Sequence, residues 1–272
     1  MEIGVITWNL FHGRDAPPNP ALFTWRSRIL RRTERNHAHV QVNRDLSAAF
    51  FEFLAGMAWD VALLQECPPR WAGGLAKACD AAGYVSLTSR NWLGAVFRPI
   101  ARRNPDLLGS WEGGSNQILV RAEGAGEIRE GRDLLLRRPP ERRTMAFVRL
   151  ASGVCAATLH ASQSPPLAEA DMRRAASAAV EWAEGAPLIL GGDFNLRPAR
   201  TSVFDELEER LDLRRPTGPQ SIDHILGRGL EILEGPSAWA PEKRDMPFDG
   251  RALRLSDHSP VTARFRAVVR PG

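Results

Sequence analysis

The chain has few of the residues that staple small or zinc-dependent domains together. It has three cysteines in 272 residues, Cys67, Cys79 and Cys155, spaced neither as a zinc-binding pair nor as a disulfide framework. Each reads as a small apolar packing residue, and a reducing, cytoplasmic setting is the simplest expectation. No Cys/His cluster suggests zinc. Only two of the 36 basic residues are lysines, Lys77 and Lys243, and Tyr84 is the one tyrosine. No apolar run is long enough to span a membrane. The N-terminus starts directly in a strand pattern, without a basic stretch and an apolar signal core. The expectation is a chain with no transmembrane segment. Internal repeats and low-complexity tracts are also lacking.

What is present is a recurring pattern of apolar runs that end in polar side chains. Pro187-Leu188-Ile189-Leu190 reads as a buried strand and is followed by Gly191-Gly192-Asp193-Phe194-Asn195. The glycines allow a turn or a close approach, and in an extended chain Asp193 and Asn195 point the same way. The run Ile3 to Trp8 ends in Asn9, Asp60 to Leu64 in Gln65 and Glu66, and Val154 to Leu159 in His160. Ser221 to Leu226 frames Asp223 and His224. Leu255-Ser256-Asp257-His258-Ser259-Pro260 precedes a last strand-like run, Val261 to Val269. Sites gather at strand ends because rigid elements deliver side chains to one rim. Hydrophobic residues make up 43% of the chain, enough for a sizeable core. Because the polar endings come from both halves, residues 1–272 are expected to form a single domain. Helical spacing appears at Leu46–Met57, at Trp71–Ala82, at Met172–Trp182 after Pro165-Pro166, and at Val203–Leu211. From about residue 85 to 160, strands are expected to follow strands.

Thr7-Trp8-Asn9, Leu64-Gln65-Glu66, Leu159-His160, Gly191 to Asn195, Ser221 to Ile225 and Ser256-Asp257-His258 resemble, in order, the motifs of the endonuclease/exonuclease/phosphatase family. The resemblance runs from near the first residue to near the last. It implies an α+β fold: a four-layer α/β/β/α sandwich of two packed mixed sheets with helices outside.

It also implies a phosphoesterase. Asp193 is the expected base that activates water, with Asn195 on a phosphoryl oxygen. His258 is expected to be cationic through Asp223, and His160 to reach the same phosphate from the opposite sheet. The oxygen-rich set suits a hard cation, magnesium, with manganese as a substitute. Glu66 is the first choice of metal ligand, with Asn9 and Asp257 next. Asn9, Arg143 (or Arg142) and Asn116 are the expected phosphate contacts. His224 is expected to face away and be structural. Glu112 is a weak candidate to orient His160.

Departures narrow the substrate. Phe11 stands where abasic-site repair nucleases carry an acid, and Leu159-His160-Ala161-Ser162 replaces their Tyr-x-Pro-Asn element. A His here looks more like the deoxyribonuclease and sphingomyelinase branches. The net charge is +4 and favours polyanionic partners. The densest basic stretch, Trp25 to Arg35, reads either as a solvated helix face or as a phosphate-tracking arm. Three functions stay open: a nuclease acting on nucleic acid, a phosphoesterase for a small or lipid phosphoester, and a catalytically silent polyanion-binding module.

Overall fold

A computed structural model describes residues 1–91, 94–214 and 216–267. In chain order the elements are β1 (Glu2–Asn9), α1 (Trp25–Leu30), β2 (Glu34–Arg35), β3 (His39–Gln41), α2 (Ser47–Ala55), β4 (Val61–Cys67), α3 (Ala72–Ala78), β5 (Ala82–Leu87), α4 (Gly94–Arg103), α5 (Pro105–Leu108), β6 (Ser115–Val120), α6 (Ala122–Ala125), β7 (Ile128–Arg137), β8 (Arg143–Leu150), β9 (Cys155–His160), α7 (Pro165–Ala183), β10 (Leu188–Asp193), α8 (Val203–Leu211), β11 (Asp223–Arg228), β12 (Leu230–Ala238), β13 (Asp245–Phe248), β14 (Arg251–Arg254) and β15 (Val261–Ala267).

Strand alternation builds the layers. One mixed sheet has the order β12-β15-β1-β4-β6-β5, and a second has the order β11-β10-β9-β8-β7. In β1, Ile3 and Val5 point one way and Ile6 and Trp8 the other. The first pair joins Val61, Leu63, Ile118, Val148, Ile189 and Phe265 in the core between the sheets. The second pair packs under α2 and α3 with Phe50, Leu54 and Leu75. On the far side, Phe147, Leu159 and Leu190 meet Met172, Ala175 and Ala179 of α7 and Val203 and Leu207 of α8. The result is the four-layer α+β sandwich that the motifs imply. A small sheet, β13-β14-β3-β2, lies beside it.

Helices with a strong apolar stripe fall where their spacing predicts. α7 starts on Pro165 and Pro166, whose fixed φ suits a first turn, and α8 matches Val203–Leu211. Others differ. α3 stops at Ala78, because Asp80 turns left-handed (φ +50°) and Ala82 already opens β5; alanine fits either period. α4, α5 and the short α6 interrupt the expected run of strands. α4 contains Pro99, a residue that reads as a helix breaker, and it packs through Phe97 on Trp111, with ring centroids 5.3 Å apart. The last strand ends at Ala267, and Val268 and Val269 lie outside the described residues. Among those residues no helix is long and apolar enough to cross a membrane.

The two glycines before Asp193 are strand residues, not a turn. A Cβ on Gly192 would stand 2.0 Å from the Leu159 carbonyl oxygen of the neighbouring strand. Gly192→Ala is therefore expected to destabilise the protein by roughly 2–4 kcal/mol. Gly73 in α3 has open space around its Cβ position, so Gly73→Ala should stabilise by about 0.5–1 kcal/mol. Urea unfolding of both variants checks the contrast.

Candidate active site

The inward faces of the sheets change from apolar to polar at one end. Beyond Ile3 and Val5, β1 presents Thr7 and Asn9; beyond Val61 and Leu63, β4 presents Gln65. On the facing sheet, register aligns His160 with Asp193 and Asp193 with Asp223 in one row across three strands. Hydrogen bonds join the sheets here, among them Asn9 Nδ2 donating to Asp193 Oδ2 (3.0 Å) and Gln65 Nε2 donating to Thr158 Oγ1 (2.8 Å). Buried polar groups are tolerable only when paired in this way.

Alternation alone would send Glu66 to the helix side with Leu64. A bulge between Leu64 and Cys67, with Glu66 at φ +46°, turns its carboxylate into the cleft instead. There Oε1 lies 3.6 Å from His160 Nδ1 and Oε2 lies 3.3 Å from His12 Nε2. Burial opposes ionisation of Glu66, but the adjoining imidazoles of His12 and His160 and the charges of His258 and Arg14 outweigh it and lower its pKa.

His258 anchors the other side. Its Nδ1 is 2.8 Å from Asp223 Oδ2, and its Nε2 is 3.8 Å from Asp193 Oδ2. Burial would discharge this imidazole, but the hydrogen bond and charge of Asp223, with Asp193 and Asp257, raise its pKa to about 10. Asp193 is buried and close to Asp223, which raises its pKa to about 7 despite His258 and the hydrogen bonds from Asn9 and Asn195. His160 Nε2 stands 3.4 Å from Asp193 Oδ2. Burial and Arg143 push its pKa down to about 3, so it is a neutral donor. His12 is likewise lowered by burial.

The loop carrying Asp257 and His258 is clamped. Ser256 Oγ donates to the Asn9 carbonyl (2.6 Å), Trp8 Nε1 donates to the His258 carbonyl (2.8 Å), and buried Arg244 donates to the carbonyls of Ser256 and His258. Trp8, Arg244, His12 and Arg14 escape the sequence reading. His12 and Arg14 follow Asn9 within five residues, and that adjacency is the signal that points to them. Arg244 has no sequence signal of its own.

The remaining candidates fall as follows. Asp257 is 44% exposed at the rim, with Oδ1 3.9 Å from His258 Nε2. Asn195 does not continue an extended strand beside Asp193. It turns left-handed (φ +53°), donates its backbone N–H to Asp193 Oδ1 (3.1 Å) and its Nδ2 to the Ala161 carbonyl (3.1 Å), which leaves one amide hydrogen. Asn116 spends one Nδ2 hydrogen on the Thr144 carbonyl (2.7 Å) and keeps the other, while its Oδ1 is buried without a partner. Arg143 donates to Glu141 (2.7 Å) and keeps Nε buried and unpartnered; Arg142 is tied to the carbonyls of Leu87 and Thr88. Glu112 does not orient His160: its carboxylate accepts from Arg70 (2.9 Å), and Glu66 takes that place. His224 faces the other side, with Nδ1 accepting from the Thr217 N–H (3.1 Å) and Nε2 on the Leu196 carbonyl (2.9 Å). α1 exposes Trp25, Ile29 and Leu30 together with Arg26 and Arg28.

A cleft of about 420 Å³ opens beside this centre, lined by His12, Glu66 and His160 together with Arg90, Arg142 and Arg143. A larger hollow of about 660 Å³ lies at the far end of β1 and β4, around Gly4, Asp60 and Arg121. It holds none of these residues, and its Arg121 is spent on the carbonyls of Ala55, Met57, Trp59 and Cys79. The cleft is the chemically equipped cavity.

The donor set fits a hard divalent cation. Glu66 offers an ionised carboxylate that no described residue hydrogen-bonds, and Asn9 Oδ1 accepts only the Phe11 N–H, keeping a lone pair. Asp193, Asp223 and His258 also converge, with ligand atoms within 4.8 Å of one another. The 2.8 Å Asp223–His258 bond marks that group as a proton-holding cluster, not a cage.

A model of the endonuclease/exonuclease/phosphatase family matches residues 6–258. The chain belongs to this family. Its members are hydrolases of phosphoester bonds and are generally divalent-metal dependent. No curated protein matches the chain. Solved structures agree on the fold: a family protein from Bacteroides thetaiotaomicron (TM-score 0.64, 15% identity, covering 99% of this chain and 96% of that one); the human Nocturnin catalytic domain with bound sulfate (0.63, 14%, 98% and 95%); and a mannosyl-6-phosphatase of Bacteroides thetaiotaomicron (0.61, 15%, 97% and 99%).

Burial lowers the His224 pKa to about 4, so the folded state holds it neutral while the unfolded chain protonates it below about 6.5. Its contribution to stability is full above that pH and is lost as pH falls towards 4, by roughly 1–3 kcal/mol. His224→Phe should lower the Tm at pH 7 yet flatten its decline between pH 7 and 4.5, as read by thermal melts.

Proposed function

We propose that this family member is a divalent-metal-dependent phosphodiesterase that cuts nucleic acid, and that residues 1–272 form one catalytic domain. The observation that carries the reading is the unbroken file Asp257–His258–Asp193–His160–Glu66, each neighbour 3.4 to 3.9 Å from the next. It gathers side chains from both halves of the chain at one mouth.

The chemistry follows from the charge states. Asp193, with a pKa of about 7, is poised as general base for the attacking water; Asn9 and Asn195 fix its two oxygens. His258, kept cationic by Asp223, donates from Nε2 to a phosphoryl oxygen as that oxygen gains charge. His160 is neutral and orients without adding charge. Glu66, Asn9 and Asp257 are the residues to hold magnesium or manganese, which when bound supplies Lewis-acid neutralisation of the phosphoryl oxygens. Arg90, Arg142 and Arg143 line the cleft wall where a flanking phosphate of a strand would lie, and the net charge is positive.

A second reading, a phosphoesterase for a small phosphoester, has its own support. The cleft volume suits a small ligand, and one structural relative is a mannosyl-6-phosphatase. A metal-supplemented panel of plasmid DNA, single-stranded DNA, RNA, a generic diester, a monoester and sphingomyelin decides between them. Cleavage of nucleic acid that weakens steeply with salt is expected; turnover of the monoester alone would sink the nuclease assignment. Asp193→Ala should lose at least about 10²–10⁴-fold in kcat.

The pH profile tests the roles. The rate needs Asp193 ionised and His258 charged, so kcat should fall below about pH 7 and above about pH 10. Asp223→Asn removes the hydrogen bond and charge that raise His258, while burial still lowers it. The alkaline fall should therefore move down by more than about one pH unit, and an unmoved limb would contradict the pairing.

A further inference from the structure

We propose that His12 is a nitrogen ligand of the ion that Glu66 holds, making the centre a mixed nitrogen–oxygen site that selects manganese over magnesium. The inference rests on the metal reading of the proposed function and adds to it a ligand and an ion preference.

His12 Nε2 lies 3.3 Å from Glu66 Oε2, on the side opposite His160. Two ligand atoms each about 2.1 Å from one ion and at right angles stand about 3 Å apart, so the pair is nearly set for a shared cation. The contact is not aligned as a hydrogen bond, and His12 makes no side-chain hydrogen bond among the described residues; its Nδ1 is buried without a partner. His224 shows what a structural histidine looks like in this protein, with both ring nitrogens satisfied by backbone groups. His12 has only the Glu66 carboxylate.

The backbone reinforces the point. Phe11, His12 and Gly13 are all left-handed, with φ of 50°, 52° and 75°, a conformation that costs about 1–2 kcal/mol for each residue other than glycine. The turn is held in place. Asn9 Oδ1 accepts the Phe11 N–H (2.9 Å), and a Cβ on Gly13 would fall 2.3 Å from the Trp71 ring. Asn9 thus sets the strained turn that aims His12 at Glu66 while it also bonds Asp193. Magnesium is a hard cation that keeps to oxygen ligands and water, whereas manganese, as a first-row transition ion, accepts an imidazole nitrogen more readily than magnesium does.

The test uses the full chain and the metals alone. Mn²⁺ binding is followed by electron paramagnetic resonance with Mg²⁺ as competitor, and pulsed measurements read ¹⁴N coupling to the bound ion. The wild type should bind Mn²⁺ at least about tenfold more tightly than Mg²⁺ and show ¹⁴N coupling. His12→Ala should lose most of the Mn²⁺ preference with Mg²⁺ affinity little changed. His160→Ala should keep a ¹⁴N signal, which can then come from His12, so the proposal stays testable if His12→Ala fails to fold. An unchanged Mn²⁺/Mg²⁺ ratio in His12→Ala, or complete loss of ¹⁴N coupling in His160→Ala, overturns it while leaving the metal reading intact. Binding of neither ion to the wild type removes both.

Discussion

The hydrogen bond from Asn9 Nδ2 to Asp193 Oδ2 joins the two sheets at the point where their shared core turns polar. An apolar interface between sheets is held by area and tolerates small slips. A buried amide–carboxylate pair does not, because losing either partner strands the other without water. Asn9 ties down more than Asp193. Its Oδ1 starts the His12 turn, and its backbone carbonyl takes the Ser256 hydroxyl that fixes the His258 loop. The Asp193 strand, the His12 turn and the His258 loop are thus registered on one residue.

The electrostatics of the cleft follow from who shares a carboxylate with whom. Four imidazoles lie in or near the polar end, and only His258 has a hydrogen-bonded acid, Asp223, to hold its proton. His12, His160 and His224 are depressed by burial. One fixed positive charge beside one carboxylate of near-neutral pKa is the division that acid–base chemistry on a phosphoester needs. The arginine wall adds charge without competing for the proton.

Much of this was legible in the chain. Strand endings at Asn9, Glu66, His160, Asp193, Asp223 and His258 follow from apolar runs, and period-two alternation explains why Asp223 faces the cleft and His224 faces α8. Other features hide from such patterns. Alternation misdirects Glu66, because a bulge is a backbone event with little side-chain signature. Asn195 leaves the extended path for the same kind of reason. α4 is obscured by Pro99, and Arg244 is one arginine among many until it is seen buried against three carbonyls.

The family, the layered α+β architecture and the residue types at the strand ends can be read along the chain, since these depend on local periodicity and ordered motifs. Only the folded arrangement shows where Glu66 points, that His12 stands against it and that burial depresses the imidazoles of His12 and His160. Those outcomes depend on burial and on distances of a few ångströms between segments up to some 250 residues apart, and no one-dimensional pattern encodes such distances.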